Sequence, residues 1–359
     1  MSFQSNNKVG FILPGPRRES VGGYKIVYQY ADYLSSEGFD VSVLYPTNND
    51  VTLDRFNSGL GFLKKLILKY LNFHRWYGFS CKVNHMVSDD FDYDYLSTFD
   101  VLICTSIETY LYLSKKNKVY CKKIYFVQDF ENWSFSDQDV YGTYTNKDFK
   151  IITISNYLKD KIKYVGGQVD LLLPNGIESD IFKLLNRPEN RKETSFLFMY
   201  HPNIRKGCDI LLDAIALIPD KENYSFECFS VYEKPTDFPD YIKYNHKPTR
   251  NNLNEIYNNN KFFICSSRVE GFGLTPAEAA LSGCVILTTD NGGVNQYIVK
   301  DHSGFYFDDK TPESFLKLIG EVSEKRNLQQ VSDNAISYIK SELVIDKCNA
   351  KLASYIRML

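Results

Sequence analysis

The stretch Lys261-Phe262-Phe263-Ile264-Cys265-Ser266-Ser267-Arg268-Val269-Glu270-Gly271-Phe272-Gly273-Leu274-Thr275-Pro276-Ala277-Glu278-Ala279 decides how this chain is read. Its first five residues, Lys261 and the four apolar residues after it, form a run of strand length. Gly271 and Gly273 then permit a tight turn and a close approach of backbone to a ligand. A helix is predicted from about Thr275, with Pro276 suited to its first position. Strand, glycine turn and helix in that order form one piece of a parallel α/β unit. The N–H groups of such a helix start can hold an anion, a diphosphate included. Glu278 falls in the predicted first turn. A carboxylate there either complements the helix dipole or accepts hydrogen bonds from the vicinal hydroxyls of a ribose. Glu270 is either a solvated loop acid or a group across the phosphates, within reach of a sugar's hydroxyls.

The same alternation extends outward in both directions. Apolar runs stand at Val9 to Leu13, Val41 to Tyr45, Val101 to Cys104, Lys123 to Val127, Ile151 to Ile154 and Val169 to Leu173. Helical spacing begins near Tyr24. Pro174-Asn175-Gly176 and Asn186 to Arg191 break the pattern, and it restarts at Ser195 to Met199. A helix from Cys208 to Leu217 follows, with strands at Ser225 to Ser230, Val285 to Thr288 and Gly304 to Phe307. Thr311-Pro312-Glu313 reads as a capped helix start, and about Leu328 to Leu359 reads as helical. Continuous apolar strands separated by helices indicate parallel sheets covered on both faces. The fold class is therefore α/β, with two doubly wound domains in tandem whose ligands bind at the carboxyl ends of the strands. Boundaries are expected at 1–176, 177–335 and 336–359, the last a helix returning to the first domain.

Composition narrows the function classes. A chain of 359 residues suits two domains. The formal net charge of -2 gives no general attraction to nucleic acid, so anion binding must be local. The abundant Tyr and Phe suit either carbohydrate-facing surfaces or ordinary core filling. The eight cysteines have no C-x-x-C pair, which indicates neither a zinc site nor a redox motif and fits a reducing, cytoplasmic compartment. No signal peptide or run of about 18 apolar residues is read.

Three further places carry polar chemistry. Gly22 and Gly23 follow the first strand and open the first helix, as a plain loop or as a backbone approach to phosphate or acceptor. Arg205-Lys206-Gly207 precedes the helix at Cys208. Its two cations form a solvated turn or neutralise a leaving diphosphate. Gln128 and Asp129 end a strand, where Asp129 can cap it and Gln128 can hydrogen-bond a sugar hydroxyl. The segment 61–77 is apolar on one helical face and basic on the other. Such a helix packs on its own domain or rests on an anionic bilayer.

Together these residues resemble the family 4 retaining glycosyltransferases of the GT-B fold. Glu270 and Glu278 have that family's E-x7-E spacing around Gly-Phe-Gly-Leu. Ser266-Ser267, Ala279 to Val285, Asp290-Asn291-Gly292-Gly293 and Pro174-Asn175-Gly176-Ile177 resemble its flanking segments. The resemblance implies two Rossmann-like domains facing a cleft. It implies a nucleotide-diphosphate-sugar donor and retention of configuration, with no cofactor and no required metal. The donor would be held by Gly22, Gly23, Gly271, Phe272, Gly273, Leu274, Thr275 and Glu278. Glu270, Arg205, Lys206, Gln128 and Asp129 would serve the transfer. His201 stands where the family has an arginine, and Gln128 where it often has a histidine. Gln128-Asp129-Phe130-Glu131 looks like members acting on cell-surface polysaccharides, rhamnosyltransferases among them. The acceptor would then be a glycan, lipid-linked, with the enzyme peripheral on the inner face of the plasma membrane. A nucleotide-sugar epimerase of the same fold and a non-catalytic binding subunit are the alternatives.

Overall fold

A computed structural model describes residues 7–18, 21–47, 73–325 and 327–359. The chain divides into two units, Met1–Pro174 with Cys348–Leu359, and Asn175–Lys347. Each is a parallel sheet with helices between its strands.

The first unit contains β1 (Lys8–Ile12), α1 (Gly22–Ser36), β2 (Asp40–Pro46), β3 (Asn84–Ser88), α2 (Tyr93–Leu96), β4 (Val101–Cys104), α3 (Ile107–Ser114), β5 (Lys122–Val127), α4 (Asp137–Gly142), β6 (Phe149–Thr153), α5 (Asn156–Tyr164) and β7 (Leu171–Leu172). The strand order is β3-β2-β1-β4-β5-β6-β7, so it reverses once, between β1 and β4. The central strands are buried on both faces, as Val101–Cys104 shows. The basic amphipathic segment 61–77 lies mostly outside the described residues.

The second unit contains β8 (Ser195–Met199), α6 (Cys208–Ala216), β9 (Ser225–Ser230), β10 (Ile242–His246), α7 (Arg250–Asn259), β11 (Phe262–Cys265), α8 (Leu274–Leu281), β12 (Val285–Thr288), β13 (Gly304–Tyr306), α9 (Pro312–Glu321) and α10 (Leu328–Glu342). Its order is β10-β9-β8-β11-β12-β13, with the reversal between β8 and β11. Phe196, Phe226 and Phe262 stack across three of its strands inside the core. The predicted helix from Leu328 to Leu359 is instead two, α10 and α11 (Ile345–Met358). Val344 pairs with Ile177 in a β-bridge. The Ile177 N–H donates to Leu343 O at 2.7 Å, and the Ile345 N–H to Ile177 O at 3.1 Å. Those bonds take the backbone groups that a continuous helix would need.

Arg191, in the segment read as a connection, is 5% exposed. Its guanidinium donates to the carbonyls of Tyr257, Asn260 and Ser282, at the carboxyl ends of α7 and α8. A cation there complements both helix dipoles and fixes the two helices together. None of the eight cysteines is in a disulfide. No helix among the described residues is long and apolar enough to cross a membrane.

Gly207 joins the turn after β8 to α6 with φ +64, and a Cβ there would overlap the Ser266 carbonyl oxygen. Gly207→Ala should destabilise the chain by about 2 kcal/mol or more, from left-handed strain plus the clash. Chemical denaturation checks this, and a loss below about 0.5 kcal/mol would mean that the contact yields freely. A second expectation concerns pH. In the first unit the His74 and His85 rings stack at 3.8 Å. The Tyr45 hydroxyl meets His85 Nδ1 at 2.9 Å and the Tyr28 hydroxyl at 2.8 Å. Burial, with His74 beside it, pulls His85 down to about 3. The folded chain thus keeps His85 neutral where the unfolded chain, with an ordinary imidazole, takes up a proton. Its effect is absent above about pH 6.5 and grows as pH falls toward 3, reaching about 2 kcal/mol of lost stability by pH 5. In His85→Asn the difference in stability between pH 7 and pH 5 should shrink by that amount. An unchanged difference would show that His85 charges freely in the fold.

Candidate functional site

In an open α/β sheet, loops leaving adjacent strands on either side of the reversal diverge and leave a crevice at the carboxyl edge. In the second unit those loops follow β8 and β11. The first carries Arg205 and Lys206, and the second carries Ser266 to Gly273.

The loops are bound together closely. The Arg268 N–H donates to Arg205 O at 2.7 Å, and Ser266 Oγ donates to Lys206 O at 2.8 Å. The Arg268 guanidinium takes Asp209 in two bonds, 2.8 and 2.7 Å, and also donates to Ile204 O. The third loop, after β12, closes the floor. The Glu270 N–H donates to Asn291 O at 2.9 Å, and a Cβ at Gly293 would meet the backbone of Phe272 and Glu270.

Two side chains named from the sequence meet on this frame. Lys206 Nζ lies 2.7 Å from Glu270 Oε1, with the side chains 28% and 12% exposed. Ser267 Oγ donates to the same carboxylate oxygen at 2.6 Å. A paired, half-buried ammonium is stiff and pre-oriented, and it gives a second anion a ready partner. Arg205 is half-buried beside it, its N–H held by Asn203 Oδ1 at 2.9 Å.

His201 takes a structural part. Its Nδ1 accepts the Asn203 N–H at 3.0 Å, and its Nε2 lies 3.3 Å from the Tyr232 hydroxyl. Burial, then the nearby Lys206 charge, lower its pKa, against a smaller opposing pull from Glu270. A neutral ring accepting at Nδ1 and donating at Nε2 fits both bonds.

The helix after the glycine turn starts one residue earlier than predicted. Gly273, at φ +85, is the N-cap of α8, and Leu274 is its first residue. Thr275 follows, and Pro276 is third and has no N–H to offer. Glu278 therefore stands in the second turn rather than the first. It is 6% exposed, and the Tyr257 hydroxyl lies 3.4 Å from its Oε2. The reason is the left-handed glycine: it stops the turn abruptly, so the helix needs no proline to start it. The Phe272 ring is buried against Tyr297 at 5.4 Å. The Tyr297 hydroxyl donates to Gly273 O. Phe272 and Tyr297 thus anchor the turn from beneath, while Gly271, Leu274 and Thr275 continue the chain around it.

The corresponding edge of the first unit gathers Gly22, Gly23, Thr105 and Gln128. Gly22 and Gly23 are the first two residues of α1. A Cβ on Gly23 would sit 3.5 Å from the Gln128 amide. Gln128 Nε2 donates to Thr105 O at 3.2 Å, and Thr105 Oγ1 donates to Ile12 O at 2.8 Å. Asp129 Oδ1 accepts the Phe130 N–H at 2.7 Å.

Thr105, Ser267, Arg268 and Asn291 were not singled out from the sequence. Ser267 and Asn291 stand inside the resembling segments, and the order of strands places Thr105, Ser267 and Arg268 beside the reversals, with Asn291 one strand further on. No group of three or more His, Cys, Asp or Glu is gathered as a metal cluster among the described residues.

Comparison with known proteins agrees with this architecture. Residues 240–338 match the family model described as glycosyl transferases group 1. An uncharacterized glycosyltransferase of Methanocaldococcus jannaschii is 22% identical over 213 residues, 57% of this chain and 58% of that protein. The chain thus spans little more than half the length of that relative. HepE of Anabaena, solved with UDP and glucose, superposes with a TM-score of 0.73 at 13% identity, over 98% of this chain and 100% of the other. Sucrose-phosphate synthase of Thermosynechococcus elongatus does so with 0.73 at 12% identity, over 98% of each chain. TarM of S. aureus gives 0.69 at 10% identity, over 98% and 99%. The chain has two parallel-sheet, Rossmann-like α/β domains, and its structural neighbours are glycosyltransferases of the GT-B fold.

Proposed function

We propose that this protein is a glycosyltransferase that takes a sugar from a nucleoside-diphosphate sugar. The observation that carries the proposal is the Lys206–Glu270–Ser267 cluster at the reversal of the second sheet, beside the glycine-capped start of α8. The matched family region includes Glu270 to Glu278, and solved neighbours hold UDP or UDP-glucose.

In this reading Lys206, Arg205 and the backbone amides of Leu274 and Thr275 receive the diphosphate. Glu278 accepts from the ribose hydroxyls, and Gly271 to Gly273 let the chain approach closely. Glu270, released from Lys206 as the phosphates arrive, turns to the hydroxyls of the transferred sugar, with Ser267 holding it. As the anomeric C–O bond breaks, the diphosphate takes the electron pair and its charge grows beside the two cations. The acceptor hydroxyl bonds to the same face of the anomeric carbon, and its proton passes to the leaving phosphate oxygen. Configuration is retained, and the cations take the part a divalent metal would otherwise play. Gly22 and Gly23 of the first unit keep the donor-binding role that the resemblance implies, and Gln128 and Asp129 serve the transfer. The Gln128-Asp129-Phe130-Glu131 run resembles that of members acting on cell-surface polysaccharides, rhamnosyltransferases among them, and supports a glycan acceptor of that kind. In that setting the acceptor is lipid-linked, and the segment 61–77 holds the enzyme on the inner membrane face.

A thermal-shift panel of nucleotide-sugars should give a selective upward shift. Glu278→Ala should abolish it. A shift that survives this change would remove the ribose role. Glu270→Gln deletes the carboxylate that competes for Lys206, so nucleoside-diphosphate affinity should hold or rise by several-fold. Turnover should fall by about a hundredfold, because the lost contact belongs to the transferred sugar. Lost affinity with turnover spared at saturating donor would reverse the assignment of Glu270.

A further inference from the structure

Tyr257, on α7, is fully buried. Its ring lies among Phe182, Phe229 of β9 and Phe263 of β11, with centroids 5.9, 5.8 and 5.8 Å away. A phenylalanine would fill that apolar pocket equally well. A hydroxyl carried into it is costly unless it finds a partner. Among the described residues its partner is Glu278 of α8, with the hydroxyl 3.4 Å from Oε2.

The two helices hold these groups in place. Arg191 donates from Nη1 to Tyr257 O at 3.0 Å and from Nη2 to Ser282 O at 2.7 Å, so one guanidinium joins the end of α7 to the end of α8. Ser282 Oγ donates to Asn254 Oδ1 at 2.8 Å, a second tie between the helices. The Cys284 thiol donates to Tyr257 O at 3.1 Å. Tyr257 carries one of these ties itself, and Glu278 stands one turn before Ser282. The hydroxyl and the carboxylate therefore stay opposed as long as the helix ends stay joined. Burial, then the charge of Glu278, raises the Tyr257 pKa well above the ordinary phenol value, so the hydroxyl remains a donor.

The last torsion of a glutamate is broad and two-fold. A carboxylate that must meet two neighbouring hydroxyls together thus needs something to fix its plane. A donor on one oxygen does this, and a carboxylate that accepts one donor keeps acceptor capacity on both oxygens. The 3.4 Å separation exceeds that of a tight hydroxyl–carboxylate bond. Such contacts shorten once a ligand closes the site.

We propose that Tyr257 is a positioning residue for the donor nucleotide. Its hydroxyl fixes the plane of the Glu278 carboxylate, so that this group meets the vicinal hydroxyls of the ribose together. The inference rests on the ribose role given to Glu278 above and adds the residue that orients it.

Tyr257→Phe keeps the ring and removes the hydroxyl. UDP, GDP, CDP and ADP are titrated into the full chain by calorimetry, and the tightest binder is compared with its 2′,3′-dideoxy analogue. The unaltered protein should bind the ribose form about thirtyfold more tightly than the dideoxy form. In Tyr257→Phe the ribose form should weaken about fivefold while the dideoxy form is unchanged, which narrows the ratio to about sixfold. A packing defect would weaken both forms alike. Added to Glu278→Asp, which draws the carboxylate back by one methylene, Tyr257→Phe should change neither affinity further. A full ratio in Tyr257→Phe, or equal weakening of both forms, overturns the positioning role and leaves the ribose role of Glu278 standing. Equal binding of the two forms by the unaltered protein removes the ribose role and the positioning role with it. Absence of binding by all four diphosphates removes the transferase reading and both roles.

Discussion

The second unit depends on one close approach. The turn after β8 and the loop after β11 touch backbone to backbone, with Gly207 against the Ser266 carbonyl. Any side chain at 207 would hold the loops apart. Once they touch, the other bonds follow: Arg268 N–H to Arg205 O, the Arg268 fork to Asp209, and Lys206 to Glu270. Most of these act on backbone or on neighbouring side chains rather than facing outward. A small residue thus sets the geometry, and charged residues exploit it.

That order of causes explains what was legible from residues alone. The central strands β4, β8, β11 and β12 are continuous apolar runs because both their faces are covered. The edge strands β3 (Asn84–Ser88) and β10 (Ile242–His246) are polar at alternate places and were not read as strands. Only one face of an edge strand is packed, so its apolar signal is halved. The break at Leu343–Val344 was equally invisible. It depends on a partner, Ile177, that is remote in the sequence.

The candidate site shows the same division. Lys206, Glu270 and the glycine turn announce themselves through residue type and spacing. Arg191 and Arg268 do not, because an isolated arginine in a polar stretch looks solvated. Arg191 is instead enclosed by the carbonyls at the ends of α7 and α8. A buried guanidinium without its acceptors would be severely penalised. Here the helix ends supply them in the direction that the dipoles favour. The placement of Glu278 in α8 therefore depends on a residue about ninety positions earlier, in a stretch read as mere connection.

The two reversals have different chemistry although they share a topology. The edge between β8 and β11 offers Arg205, Lys206 and a helix start, all suited to negative charge. The edge between β1 and β4 offers Thr105, with Gln128 and Asp129 beside it at the end of β5, and no cation of its own among these residues. A net charge of -2 over the whole chain conceals this contrast. Cationic and carboxylate-bearing surroundings favour opposite charges, and one crevice could not supply both without weakening each. Two doubly wound units, each with its own reversal, allow the two environments to be tuned separately. A chain built this way can alter the loop after β5 while leaving Lys206 and Glu270 untouched.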